Sequence, residues 1–161
     1  KTTLAKKLSR KLKLPIFQIG EYRLRFPHSP IGEADAWVAL FRDLSIREWM
    51  NCILETTGLN GREDFLRVAI PLLCRTVVKL EAQRDVLYAR IGEKRESEQG
   101  GAWLFSSDYS DKYEFVRKLY KKFKNVPSDI RIVTTVLRPE EVFQAVLKKI
   151  EVHRLRYSVD E

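Results

Sequence analysis

The sequence predicts an α/β fold in which helices cover both faces of a parallel sheet. Short apolar segments of strand length alternate with longer amphipathic segments along the chain, a pattern typical of strand–helix–strand units. The 161 residues suffice for one domain with its own hydrophobic core, and 44% hydrophobic and 32% charged residues are ordinary for a globular domain. In such folds ligands bind at the carboxyl ends of the strands.

The first half of the chain contains two predicted strands. Leu4, Leu8 and Leu12 recur at helical spacing, and Pro15 ends their helix. The second strand delivers Glu55 to a loop. The expected segments are a helix at 2–13, a strand at 15–20, a loop at 24–32, a helix at 33–43, a further helical turn opened by a Ser45/Glu48 capping box, and a strand at 50–55.

The second half repeats the alternation. The expected segments are a helix at 62–69, a strand at 75–80, a helix at 83–93, a polar loop at 96–101, a helix at 110–123, a strand at 130–134 and a last helix opened by Arg138 and Pro139. We expect one domain over 1–150, with a lid at 84–101, and a basic tail over 151–161.

The chain opens on Lys1-Thr2-Thr3 followed by a helix, which matches the second half of the phosphate-binding loop G-x-x-x-x-G-K-[ST]. In that loop backbone N–H groups cradle the phosphates, the lysine reaches the β- and γ-phosphates, and the hydroxyl binds Mg²⁺. The glycines and their strand do not precede Lys1 in this sequence. We therefore expect a chain cut inside the loop, which binds ATP poorly on its own; the alternative is a chance match in a basic helix.

Acidic and basic residues follow the first two predicted strands. Glu21 and Arg23 could orient a hydroxyl and clamp an anion of a phosphate acceptor, or they could form a surface ion pair. Glu55, after an apolar strand, has the form of a Mg²⁺-binding acid, or it could cap the next loop.

Arg90 and Arg95 suit a lid over a transferring phosphoryl group, with Gly92 between them as a loose point. The alternative is a charged surface helix whose arginines pair with neighbouring glutamates.

The net charge of +8 is spread along the chain on helical faces, so nucleic acid is possible as a partner but not favoured. No apolar segment is long enough to cross a bilayer, and no secretory signal is visible. These features favour a cytoplasmic protein; they do not indicate an oligomeric state.

Taken in order, Lys1-Thr2-Thr3, Gly20-Glu21-Tyr22-Arg23, Ile53-Leu54-Glu55 and the Arg90/Arg95 pair resemble the P-loop kinases of small molecules, such as the adenylate, shikimate and gluconate kinases. The Gly-Glu-Tyr-Arg segment is similar to one in 6-phosphofructo-2-kinase. The resemblance implies a three-layer α/β/α fold with strand order 2-3-1-4-5, whose first strand and glycine loop are missing here.

The same resemblance implies ATP and Mg²⁺ as cofactors and a small-molecule phosphate acceptor. It assigns ATP to Lys1, Thr2, Thr3 and Arg90, and Mg²⁺ to Thr2 and Glu55. Catalytic roles fall to Lys1, Glu21, Arg23, Arg90 and Arg95. The sequence thus predicts an ATP-dependent phosphotransferase, and the alternative is a non-catalytic ATP-sensing module.

Overall fold

A computed structural model describes residues 1–27, 29–48, 51–56, 75–92 and 111–157. The elements are α1 (Thr2–Leu12), β1 (Ile16–Gln18), α2 (Ile19–Arg23), α3 (Pro30–Ser45), β2 (Ile53–Glu55), β3 (Val78–Glu81), α4 (Arg84–Gly92), α5 (Lys112–Phe123), β4 (Ile130–Val133) and α6 (Pro139–Tyr157). The chain is therefore a mixed α/β protein, as predicted. The predicted helix at 62–69 and loop at 96–101 lie outside the described residues.

The four strands form two parallel pairs. β1 pairs with β2, so that Gln18 lies opposite Glu55 at the carboxyl ends of the two strands. β3 pairs with β4, so that Glu81 lies opposite Val133. Within the described part of the chain, no hydrogen-bonded ladder joins one pair to the other. The strands are parallel, as the sequence predicts, but they make two small sheets.

Two hydrophobic clusters lie on opposite faces of β2. The first joins Leu8 of α1 to buried residues of β4 and α6, and Ile53 packs against it. The second is built by α2 and α3 around Trp37 and Leu40, and Leu54 packs against it. Because successive side chains of a strand point to opposite faces, β2 is covered by helices on both sides.

The segment after β1 differs from the prediction. Gly20, Glu21, Tyr22 and Arg23 form helix α2 directly after Gln18, whereas the sequence suggested that the strand continued to Gly20. Ile19 and Tyr22, three residues apart, are both buried, and a helical turn brings residues at that spacing to one face.

The predicted capping box at Ser45 is also wrong. α3 is one uninterrupted helix capped by Ser29, whose hydroxyl accepts a hydrogen bond from the Gly32 N–H at 3.0 Å. Ser45 is the last residue of α3, and its hydroxyl donates to the Arg42 carbonyl. At the other end of the chain, α6 continues to Tyr157, into the segment expected to be a tail.

Candidate functional site

Three of the predicted site residues meet at the carboxyl end of β2. The Thr2 hydroxyl donates to Glu55 Oε1 at 2.9 Å. The Lys1 ammonium donates to the Thr56 carbonyl at 3.1 Å. β2 ends at Glu55 and α1 begins at Thr2, so the first turn of α1 lies against the end of the strand. The fold thus brings together the hydroxyl and the carboxylate that the sequence assigned to one metal ion.

The start of α1 has the electrostatics of an anion site. Lys1 occupies the N-cap position without capping the helix through its side chain, and the first turn, which includes Thr2 and the exposed Thr3, contains no acidic residue. The first N–H groups of a helix have no partner within the helix, and the helix dipole gives them partial positive charge. Together with the Lys1 ammonium they favour a phosphate group at this position.

The donor atoms also fit Mg²⁺. This ion prefers oxygen ligands and keeps several waters, so that one or two carboxylates together with substrate phosphates commonly complete its shell. Thr2 and Glu55 provide one hydroxyl and one carboxylate. Among the described residues no group of three or more His, Cys, Asp or Glu side chains could hold a metal by itself, so an ion bound here would depend on phosphate and water ligands.

Gln18 is a further residue of this site that the sequence analysis did not identify. It is the last residue of β1, it is 6% exposed, and its side-chain amide donates to Glu55 Oε2. The two oxygens of Glu55 therefore accept from different residues, Thr2 on one side and Gln18 on the other. A polar residue at the end of an otherwise apolar strand was the signal in the sequence.

Glu21 and Arg23, the predicted acceptor residues, have different surroundings in the structure. Both lie on α2, where residues two positions apart point in different directions. Glu21 is exposed. Arg23 instead makes a two-pronged ion pair with Glu33, from Nε to Oε2 at 2.9 Å and from Nη2 to Oε1 at 2.7 Å.

The Arg23–Glu33 pair is largely withdrawn from solvent, since the two side chains are 10% and 19% exposed. The Trp37 indole N–H also donates to Glu33 Oε1, at 2.8 Å. Arg23 and Glu33 line a small depression together with Pro27, Ser29 and Gly32. A carbon atom added at the Gly32 Cβ position would lie 1.9 Å from the Pro27 carbonyl oxygen, so only glycine permits this close approach of the loop to α3.

Tyr22 connects α2 to α3 on the same side of the sheet. Its hydroxyl donates to Asp43 Oδ2 at 2.8 Å, and the Arg25 guanidinium lies 4.4 Å from its ring centre. The pKa of Tyr22 is raised to about 12, mainly because the phenol is buried and secondly because it donates a hydrogen bond to Asp43. These contacts fix α2, and with it Glu21 and Arg23, against α3.

Arg90 lies at the carboxyl end of β4. Its guanidinium donates to the Thr134 hydroxyl at 3.2 Å and to the Thr134 carbonyl at 2.8 Å. The Thr134 hydroxyl in turn donates to the Glu81 carbonyl at the end of β3, at 2.9 Å. Arg90 therefore fastens α4 to the β3–β4 pair, at the carboxyl end of its strands. Arg95, the other predicted lid residue, lies outside the described residues.

None of the helices in the described ranges is both long enough and apolar enough to span a membrane. A comparison with known proteins gave no match: no family model, no curated protein and no solved structure is significantly similar to this chain.

Proposed function

We propose that the protein is an ATP-dependent phosphotransferase that passes the γ-phosphoryl group of ATP to a small-molecule or nucleotide acceptor. The observation that supports it most is the 2.9 Å contact between the Thr2 hydroxyl and the Glu55 carboxylate. The Lys1 ammonium lies beside this contact, where it donates to the carbonyl of Thr56, the residue after Glu55. A hydroxyl at a helix start, a strand-end acid and a lysine are the groups that hold a nucleotide phosphate and its Mg²⁺ in P-loop enzymes.

In this proposal each residue has a separate task. Lys1, Thr3 and the first turn of α1 bind the phosphates of ATP. Thr2 and Glu55 hold Mg²⁺, which when bound offsets the negative charge of the phosphate oxygens. Phosphoryl transfer needs little covalent chemistry from the protein, so the rate comes from positioning and charge stabilisation.

The acceptor side of the site is assigned to α2 and the lid segment. Glu21, exposed on α2, orients the acceptor hydroxyl, and Arg23 holds an anionic group of the acceptor. Arg90 and Arg95 stabilise the charge of the transferring group from the segment at 84–101.

We further propose a three-layer α/β/α fold in which one more strand lies between β2 and β3. Ile53 of β2 and Leu80 of β3 pack against the same cluster, which contains Leu8 of α1. β2 and β3 each belong to a two-stranded parallel ladder, and such small parallel ladders have only marginal stability by themselves. One added strand would unite the two pairs.

A second proposal, a nucleotide-sensing module without acceptor chemistry, is favoured by one observation. Arg23 uses Nε and Nη2 for Glu33 inside a pair that is only 10% and 19% exposed. An arginine committed in this way has fewer donors for an anionic acceptor. If this pair persists when ATP is bound, the protein would bind nucleotide without transferring phosphate.

Phosphoryl transfer by the full-length protein encoded by the gene tests these proposals. The protein is incubated with γ-labelled ATP, Mg²⁺ and panels of nucleosides, sugars and polynucleotide 5′ ends. We expect label on one acceptor class. Metal-ion catalysis contributes several kcal/mol, so Thr2→Val or Glu55→Gln should lower the rate about 100-fold or more.

Lys1→Met and Lys11→Met form a matched pair of variants on α1. Lys11 is an exposed lysine in the last turn of the same helix, so its loss should leave ATP affinity unchanged, whereas loss of Lys1 should weaken it. Binding of Mg-ATP without transfer to any acceptor would favour the sensing module. Absence of Mg-ATP binding would contradict both proposals.

A further inference from the structure

We infer that Gln18 is a positioning residue for the Glu55 carboxylate and so controls the affinity of the protein for Mg²⁺ bound to nucleotide. The inference rests on the proposed function, because it concerns how the proposed metal ligand is held. It extends that function to a residue on a strand that contributes no other group to the metal site.

The geometry limits Glu55 to one orientation. Gln18 lies directly opposite Glu55 in the β1–β2 register, and its amide donates to Oε2 while the Thr2 hydroxyl donates to Oε1. The end of a glutamate side chain otherwise rotates with few restrictions. Hydrogen bonds to both oxygens fix the plane of the carboxylate and keep Oε1 beside Thr2.

The chemistry of the donor also matters. A lysine or arginine at position 18 would place a positive charge against Glu55 and compete with a cation for the carboxylate. The amide of Gln18 is neutral, so it orients the carboxylate and leaves its negative charge in place. Residues that hydrogen-bond to metal ligands act in this way in many metalloproteins, and their loss typically lowers metal affinity or activity about 10- to 100-fold.

A purely structural role is the competing explanation, since Gln18 is only 6% exposed and a buried amide needs a hydrogen-bond partner. The two roles differ in what is lost. Loss of a purely structural residue lowers the stability of the protein and changes its affinity for Mg-ATP and for metal-free ATP equally. A positioning residue affects Mg-ATP specifically, and its effect disappears once the carboxylate is gone.

The experiment measures ATP binding to the full-length protein by isothermal titration, once with excess Mg²⁺ and once with EDTA. For Gln18→Met, which has similar length but no donor, we expect Mg-ATP affinity to fall about 10-fold or more and metal-free ATP affinity to stay unchanged. In a Glu55→Gln background the same substitution should have almost no further effect on Mg-ATP affinity, because coupled residues are not additive.

Gln144→Met is the matched control. Gln144 also donates to a glutamate, Glu140, at 3.1 Å, but on the exposed surface of α6, and its loss should change neither affinity. If Gln18→Met fails to fold, as judged by circular dichroism, Gln18→Asn keeps the amide one methylene shorter and should give a smaller loss specific to Mg-ATP.

The possible outcomes separate the positioning role of Gln18 from the proposed kinase function. Equal losses of Mg-ATP and metal-free ATP affinity, or no loss of either in the Gln18 variants, would overturn the positioning role and leave the kinase proposal standing. A wild-type protein whose ATP affinity does not depend on Mg²⁺ would overturn both.

Discussion

Replacing Glu33 by glutamine should destabilise the protein far more than replacing a surface glutamate. The change removes the carboxylate partner of the Arg23 guanidinium, whose side chain is only 10% exposed. Arg23 makes two hydrogen bonds to the Glu33 carboxylate, at 2.9 and 2.7 Å, and the two side chains are only 10% and 19% exposed. Removing one partner of a fully buried pair costs about 3–5 kcal/mol. Since this pair keeps some exposure and the new amide would retain one oxygen for Trp37, we expect a loss of about 2–3 kcal/mol.

Urea unfolding followed by far-ultraviolet circular dichroism measures this loss. Glu141→Gln is the control, because Glu141 pairs with Arg138 at 3.3 Å on the surface, where the side chains of Arg138 and Glu141 are 84% and 44% exposed. Such exposed pairs contribute little to stability. The two variants should unfold with similar slopes, so that the shift in midpoint reports the free energy of unfolding.

Arg23→Met completes a double-mutant cycle with Glu33→Gln. If the two side chains stabilise each other, the double variant should be clearly more stable than the sum of the single losses predicts, because no unpaired charge is left behind. Free energies of unfolding that are the same for Glu33→Gln and Glu141→Gln, or single losses that simply add, would refute this account of the pair.

Two further predictions concern α2 and the loop that follows it. Gly32→Ala should destabilise the protein by about 2 kcal/mol or more, because the new methyl group would overlap the Pro27 carbonyl at 1.9 Å. Gly20→Ala is the control: its added carbon meets no atom within 4 Å, so it should be neutral or stabilising in the same urea assay. Equal unfolding midpoints of the two variants would contradict the steric argument. A spectrophotometric titration of phenolate should show a late phase that belongs to Tyr22, with a pKa of about 12 against an ordinary 10.0. The folded state keeps the Tyr22 proton to higher pH than the unfolded state does. The stability that the protonated Tyr22 contributes is therefore complete below about pH 10 and is lost as the pH rises through about 12. A Tyr22→Phe variant that shows the same late phase would disprove the assignment.

The alternation of apolar strands and amphipathic helices was sufficient to predict the order of the described elements apart from α2, and the strand ends indicated where Glu55 would lie. The resemblance to P-loop kinases assigned Thr2 and Glu55 to one metal ion, and in the structure these two side chains are hydrogen-bonded to each other. What the sequence did not reveal were contacts that depend on tertiary packing. Gln18 looked like one polar residue in a short strand, and only the register with β2 places it opposite Glu55.

The ion-pair partner of Arg23 was missed for a similar reason. Arg23 and Glu21 are neighbours in the sequence, which suggested one site, but the burial of Ile19 and Tyr22 makes α2 helical and turns the two charged side chains apart. Glu33, the partner that Arg23 does choose, lies ten residues further along, in the first turn of α3. The Glu33/Trp37 spacing of four residues was the available sign that this glutamate faces inward.

The division of the strands into two pairs has a consequence for the behaviour of the protein in concentrated solution. A strand edge without a neighbour presents a row of backbone donors and acceptors that can pair with another chain. In the described part of the chain β2 and β3 share no partner strand. Molecules with both edges open should associate through them, and light scattering should rise with protein concentration. An extended peptide that fills the position between β2 and β3 should suppress this association, so that colloidal stability becomes a direct measure of whether the sheet is complete.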